Sequence, residues 1–147
     1  FSYLSERKCA NTNLNDRKAW VNAYWERMDY QHRDADDAES FEDFYLRVQA
    51  FQEKLKILAP RYVEKNLAVF SHGQFLQLLI MQIQQPRSLT KELMQQFRSD
   101  LVRQPIRNTE VFTYWTEFRI WDFMLNKNLI HSKSVCLSHK HRFFLFF

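Results

Sequence analysis

One position in this 147-residue sequence has a type and a setting that point to a reaction, and it is His72, in Ser71-His72-Gly73-Gln74. The residues before it, Leu67-Ala68-Val69-Phe70, form an apolar run too short for a helix and suited to a buried strand of a parallel sheet. From Gln74 to about Gln85 the chain is hydrophobic nearly all round, which predicts a helix packed behind that sheet, with Pro86 closing it. Ligands of open α/β sheets collect at the carboxyl ends of strands. The free N–H groups of a helix start attract anions, phosphate above all. A histidine at such a junction can donate a hydrogen bond to a phosphoryl oxygen and, when cationic, stabilise charge that develops in the transition state. Gly73, the single glycine of the chain, lets a ligand approach the backbone closely. Gln74 can offer its backbone N–H or its side chain to the same ligand. By these local rules alone a lone histidine after a strand is more often structural, so the wider spacing has to decide.

Other chemistry-bearing residues are weaker. Cys136, His139 and His141 have a spacing that suggests metal binding, but they sit in an irregular tail without a clear fourth ligand and read as scattered tail residues. Arg33 with Asp34, Asp36 and Asp37 reads as a solvated acidic loop in preference to a cation site. Arg47 reads as a surface or ion-pair residue of a helix. Trp20, Tyr24 and Trp25 fall on a helical stripe and read as core in preference to a base-stacking platform. Neither metal nor cofactor is expected.

The elements that must position His72 follow from periodicity. Trp20, Val21, Tyr24, Trp25 and Met28 predict an amphipathic helix over residues 15–28. After an acidic loop over 29–39, Ser40 reads as an N-cap with Glu42 and Asp43 in the first turn. Phe41, Phe44, Val48, Phe51, Leu55 and Leu58 then recur at steps of three and four until Pro60. Thr90 reads as the cap of a further helix over 91–102, and Pro105 ends it. Residues 110–123 are dense in β-branched and aromatic side chains and predict one or two strands. From Asn126 the pattern is lost, so 126–147 reads as an irregular tail. Its apolar end, Phe143 to Phe147, has to dock on the body, meet a partner or risk aggregation.

With 46% hydrophobic residues and no repeat or linker, the chain is expected to be a single domain. Having one glycine, it must build turns of positive φ from Asn or Asp, or avoid them. Residues 1–60 carry nine Lys or Arg against eleven Asp or Glu, and residues 61–147 carry twelve against six. A basic half suits phosphorylated ligands, anionic surfaces or nucleic acid, although a solvated surface accounts for it equally well. Two distant cysteines, no membrane-length apolar run and no signal peptide indicate a soluble, cytoplasmic protein without membrane contact.

Three segments together carry a family resemblance. Ala38-Glu39-Ser40-Phe41-Glu42-Asp43-Phe44 with Arg47-Val48 resembles the Gly-Glu-Ser helix start of the histidine phosphatase (phosphoglycerate mutase-like) superfamily. Asn66 to Gly73 resembles that family's strand ending in Ser-His-Gly, and Asn108-Thr109-Glu110-Val111 is similar to its Asn-Thr strand start. The resemblance implies an α/β fold of three layers, with helices on a mainly parallel sheet. It implies a phosphatase or phosphomutase acting through a phosphohistidine, with His72 holding the phosphoryl group, Gly73 and Gln74 near substrate, and no metal. The substrate would be a small phosphorylated molecule; nucleic acid is not the expected partner, and the oligomeric state is open. The family's nucleophile lies in an N-terminal Arg-His-Gly triplet that these residues do not contain, and its donor carboxylate lies upstream of the matched region. With Phe1 in place of Met, an N-terminally truncated chain is one expectation. A protein that kept the fold as a noncatalytic binding module for phosphorylated ligands or nucleic acid is the other.

Overall fold

The computed structural model describes residues 1–10, 12–62, 66–107, 109–116 and 141–146. In chain order the elements are α1 (Glu6–Ala10), α2 (Leu14–Arg27), α3 (Phe41–Leu58), a 3₁₀ turn (Ala59–Tyr62), β1 (Asn66–Phe70), α4 (Gly73–Gln84), α5 (Lys91–Arg103), β2 (Val111–Thr116) and β3 (His141–Phe146). They form two compact units: residues 1–50 with 87–105, and residues 51–86 with 106–147.

The first unit is helical. α2 starts where the Asn13 side chain accepts from the Asp16 N–H at 3.0 Å, and α5 where the Thr90 hydroxyl accepts from the Leu93 N–H at 3.2 Å. α3 opens with a capping box. The Ser40 hydroxyl accepts from the Asp43 N–H at 3.0 Å, and the Asp43 carboxylate accepts from the Ser40 N–H at 2.9 Å. Phe41, Phe44 and Phe97 are fully buried here, and Tyr24 and Trp25 nearly so. Phe97 lies 5.4 Å from Phe41 and 6.1 Å from Trp25 between ring centroids, and Phe1 stacks on Phe44 at 4.5 Å. The expected core role of Tyr24 and Trp25 is therefore met. Trp20 is half-buried, with the Lys8 ammonium 4.5 Å above its ring.

The second unit holds the sheet, in the order β1-β3-β2. β1 pairs with β3 in parallel and β2 pairs with β3 antiparallel, so the described sheet is mixed, and the expectation of a mainly parallel sheet is corrected. The reason is β3. Its residues fall in the stretch expected to be an irregular tail, yet His141–Phe146 forms the central strand and exchanges backbone hydrogen bonds with both neighbours. The apolar end thus docks within the fold. Residues 117–123 of the expected strand region, and Cys136 and His139 of the tail, lie outside the described residues.

The two faces of β1 differ. Leu67 and Val69 pack with Phe51 and Ile83 against buried Leu55 and Ala59, whereas Ala68 and Phe70 on the other face are exposed, Phe70 by 79%. α4 buries Phe75, Leu76, Leu78, Leu79 and Ile80, as a helix hydrophobic nearly all round should. Gly73 does not have positive φ; Met28 (φ 48°) and Thr109 (φ 68°) do, which corrects the expectation that Asn or Asp would take such turns. Met28 adopts the left-handed conformation as the C-cap of α2, where ending the helix offsets the steric cost.

Candidate functional site

β1 ends at Phe70, and α4 begins at Gly73. Ser71 and His72 make the whole connection, with His72 in extended conformation (φ −104°, ψ 148°) as the N-cap of α4. Its carbonyl accepts the Leu76 N–H at 3.0 Å, which starts the helix. Its side chain makes no capping bond, in contrast to Asn13, Ser40 and Thr90. The first-turn donors of α4 therefore lack the side-chain oxygen that closes the other three helix starts, and they carry the positive end of the helix dipole. His72 is exposed and stands clear of the apolar core, while Gly73 and Gln74 are half-buried. N–H groups at a helix start favour an anion in general, and the residue directly before them here is His72. The three residues singled out from the sequence are thus neighbours at one strand-to-helix junction.

Of the third resembling segment, Thr109 and Glu110 precede β2, and Asn108 lies outside the described residues. The first segment belongs to the other unit, where it makes a separate structure. The Arg47 guanidinium donates to both carboxylate oxygens of Glu39, at 2.8 and 2.9 Å, so Arg47 is an ion-pair residue as its helical position suggested. The acidic loop is also tied down. Asp34 accepts from the Ser5 N–H at 3.1 Å and from the Lys8 ammonium at 2.8 Å, Asp37 accepts from the Ser5 hydroxyl at 3.2 Å, and Arg33 donates to Asp43 at 2.7 Å. Burial raises the Asp34 pKa, but the Lys8 and Ser5 bonds outweigh it and hold the carboxyl below the usual carboxylate range. The Ser5 hydroxyl does the same for Asp37, and the Ser40 hydroxyl for Asp43. An open cleft of about 470 Å³ lies beside this loop, lined by Ser2, Arg33, Asp36, Asp37, Ala38, Glu39 and Asp43. Among the described residues no group of three His, Cys, Asp or Glu side chains could hold a metal ion.

Sequence reasoning did not find that Ser5, with its hydroxyl accepting the Lys8 N–H at 3.2 Å, starts a short helix pinned by Asp34 and Asp37. Ser-Glu at positions 5 and 6 was the only local signal, and its partners lie 29 and 32 residues away.

No curated protein and no solved structure gives a significant match. The family model of the histidine phosphatase superfamily (branch 1) matches residues 5–103, a span that takes in both Glu39-Ser40 and Ser71-His72-Gly73 and stops short of Asn108-Thr109. With about two thirds of its length inside that match, the chain belongs to the histidine phosphatase superfamily, branch 1.

Proposed function

We propose that the protein hydrolyses or transfers phosphoryl groups of small phosphorylated substrates through a phosphohistidine, with His72 as the group that holds the phosphoryl oxygens. Family membership supports a phosphatase or mutase kind of function. The observation that carries the assignment of His72 is its position: an exposed imidazole at the one long described helix start without a side-chain cap, inside the family match.

In this reading a nucleophilic histidine attacks phosphorus, the ester P–O bond breaks, and a carboxylic acid protonates the departing oxygen. His72 donates a hydrogen bond to a non-bridging oxygen, and the Gly73 and Gln74 N–H groups donate to the others. Water then releases phosphate in a phosphatase, or a second hydroxyl accepts the phosphoryl group in a mutase. No Arg-His-Gly triplet occurs in these 147 residues, so we assign the nucleophile to sequence outside them and expect no turnover from these residues alone. The same reading places a three-layer α/β fold around the described sheet and the protein in the cytoplasm. Among the described residues no helix is long and apolar enough to cross a membrane.

The test is the rate of hydrolysis of a general phosphomonoester by protein that carries the nucleophile, with and without His72→Ala. Equal rates remove His72 from the mechanism. Binding of nucleic acid that falls steeply with salt, in the absence of any turnover, would instead favour a noncatalytic binding module.

A further inference from the structure

A phosphomonoester near neutral pH carries close to two negative charges. A helix N-terminus supplies about half a positive charge, and His72 at most one. Residues 66–86, which contain the whole strand-loop-helix unit, have no Lys or Arg. Any cation that helps to neutralise the dianion therefore comes from outside residues 66–86, whether from an Arg-His-Gly motif or from another part of this chain.

The sheet register brings one. Phe70 at the end of β1 pairs with Phe146 at the end of β3, and Phe146 pairs in turn with Val111 at the start of β2. Because β2 is antiparallel, its start lies at the same end of the sheet as His72, two strand spacings or about 10 Å from the end of β1. Just before β2 the chain turns on itself. The Glu110 N–H donates to the Arg107 carbonyl at 3.1 Å, and the Arg107 N–H donates to the Glu110 carboxylate at 2.9 Å. This reciprocal pair keeps Arg107 beside the start of the strand. Arg107 is exposed, and its guanidinium has no ion-pair partner among the described residues.

The other described cations of this unit belong to the opposite end. Arg142 pairs with Asn66 at the start of β1, and Arg61 lies in the turn that leads there. Lys54 and Lys56 sit on the last turns of α3, ahead of that same turn. Among the described residues of this unit, Arg107 is the cation that the fold places at the His72 end.

We propose that Arg107 is a second phosphate-binding residue of the His72 site, a positioning residue that grips phosphoryl oxygens and takes no part in proton transfer. The inference rests on the reading of His72 as a phosphoryl-holding group. The guanidinium suits the task because it stays charged at any pH at which the enzyme would work and offers two parallel N–H donors to two phosphoryl oxygens.

The experiment is a calorimetric titration of the chain with inorganic phosphate, repeated for Arg107→Ala, Arg107→Lys, His72→Ala and, as a charge-matched control, Arg61→Ala. Saturable binding is expected, weakened about tenfold or more by Arg107→Ala, less by Arg107→Lys, and unchanged by Arg61→Ala. Circular dichroism checks that each variant folds, and Arg107→Lys carries the test should Arg107→Ala not fold. If His72→Ala weakens binding and Arg107→Ala does not, the inference falls and the reading of His72 stands. Equal losses in Arg107→Ala and Arg61→Ala would also overturn it, since general charge would then account for both. Absence of phosphate binding, or binding indifferent to His72→Ala, overturns both proposals.

Discussion

At the start of α3, Ser40 and Asp43 exchange backbone and side-chain hydrogen bonds, and Glu39 is gripped by both arms of the Arg47 guanidinium. At the start of α4 the capping position holds His72, extended, exposed and without a side-chain bond to the helix. Both helices begin with the same surplus of N–H donors. The first is closed by side-chain oxygens of the chain itself, which stabilises the fold. The second has no side-chain cap, and in the proposed function its donors serve an oxygen brought from outside. The surroundings repeat the contrast: the α3 start is continuous with a buried aromatic core, whereas Phe70 and Val111, at the His72 end of the sheet, are 79% and 43% exposed.

If that division is right, stability and phosphate chemistry should respond to different substitutions. The largest effect is expected from Phe97→Ala in the aromatic core, a loss of about 3–5 kcal/mol in denaturant unfolding for a fully buried ring. A smaller loss would mean that the core collapses around the cavity. Next comes His72→Ala, which should lower turnover of a protein carrying the nucleophile by about 10²–10³-fold, the usual effect of removing one transition-state donor. Its unfolding midpoint should barely move, as for other exposed positions, and a large shift in that midpoint would make His72 structural. Ser40→Ala should do the reverse, costing about 1 kcal/mol with phosphate affinity intact; altered affinity would break the division between the two helix starts.

The smallest effect concerns acid. Asp34, Asp37 and Asp43 have lowered pKa values in the folded state. The stability they contribute is fully present above the ordinary carboxylate pKa of about 4, and is lost as pH falls through the lowered values. These groups are largely solvated, so the loss should be modest. Urea midpoints measured at pH 6 and pH 3 should differ less in an Asp34→Asn, Asp37→Asn double variant than in the parent. An unchanged difference would show that acid acts elsewhere.

How far the sequence could be read depended on how local each signal was. α3 and α5 were legible because a 3.6-residue stripe, a cap at Ser40 or Thr90 and a proline stop lie within one stretch of chain; α2 was legible from its stripe alone, and α4 from an apolar run that Pro86 closes. β1 was legible because an apolar run between charged residues and Ser-His-Gly admits little else. β3 was not, since Arg142, Phe143 and Phe144 become strand residues only by pairing with β1 and β2, which lie far away in sequence. α1 escaped for a related reason: five residues hold a helix here only because Asp34 and Asp37 return to its first turn.

His72, its strand, its helix and its superfamily could be named from residue order, because a strand-loop-helix unit is a contiguous piece of chain with its own chemistry. That Phe70, Phe146 and Val111 stand in one row, so that Arg107 reaches the same end of the sheet as His72, was decided by the tertiary structure. Strand pairing joins residues through backbone hydrogen bonds that every residue but proline can both donate and accept, and its register is fixed by which faces the assembled sheet buries.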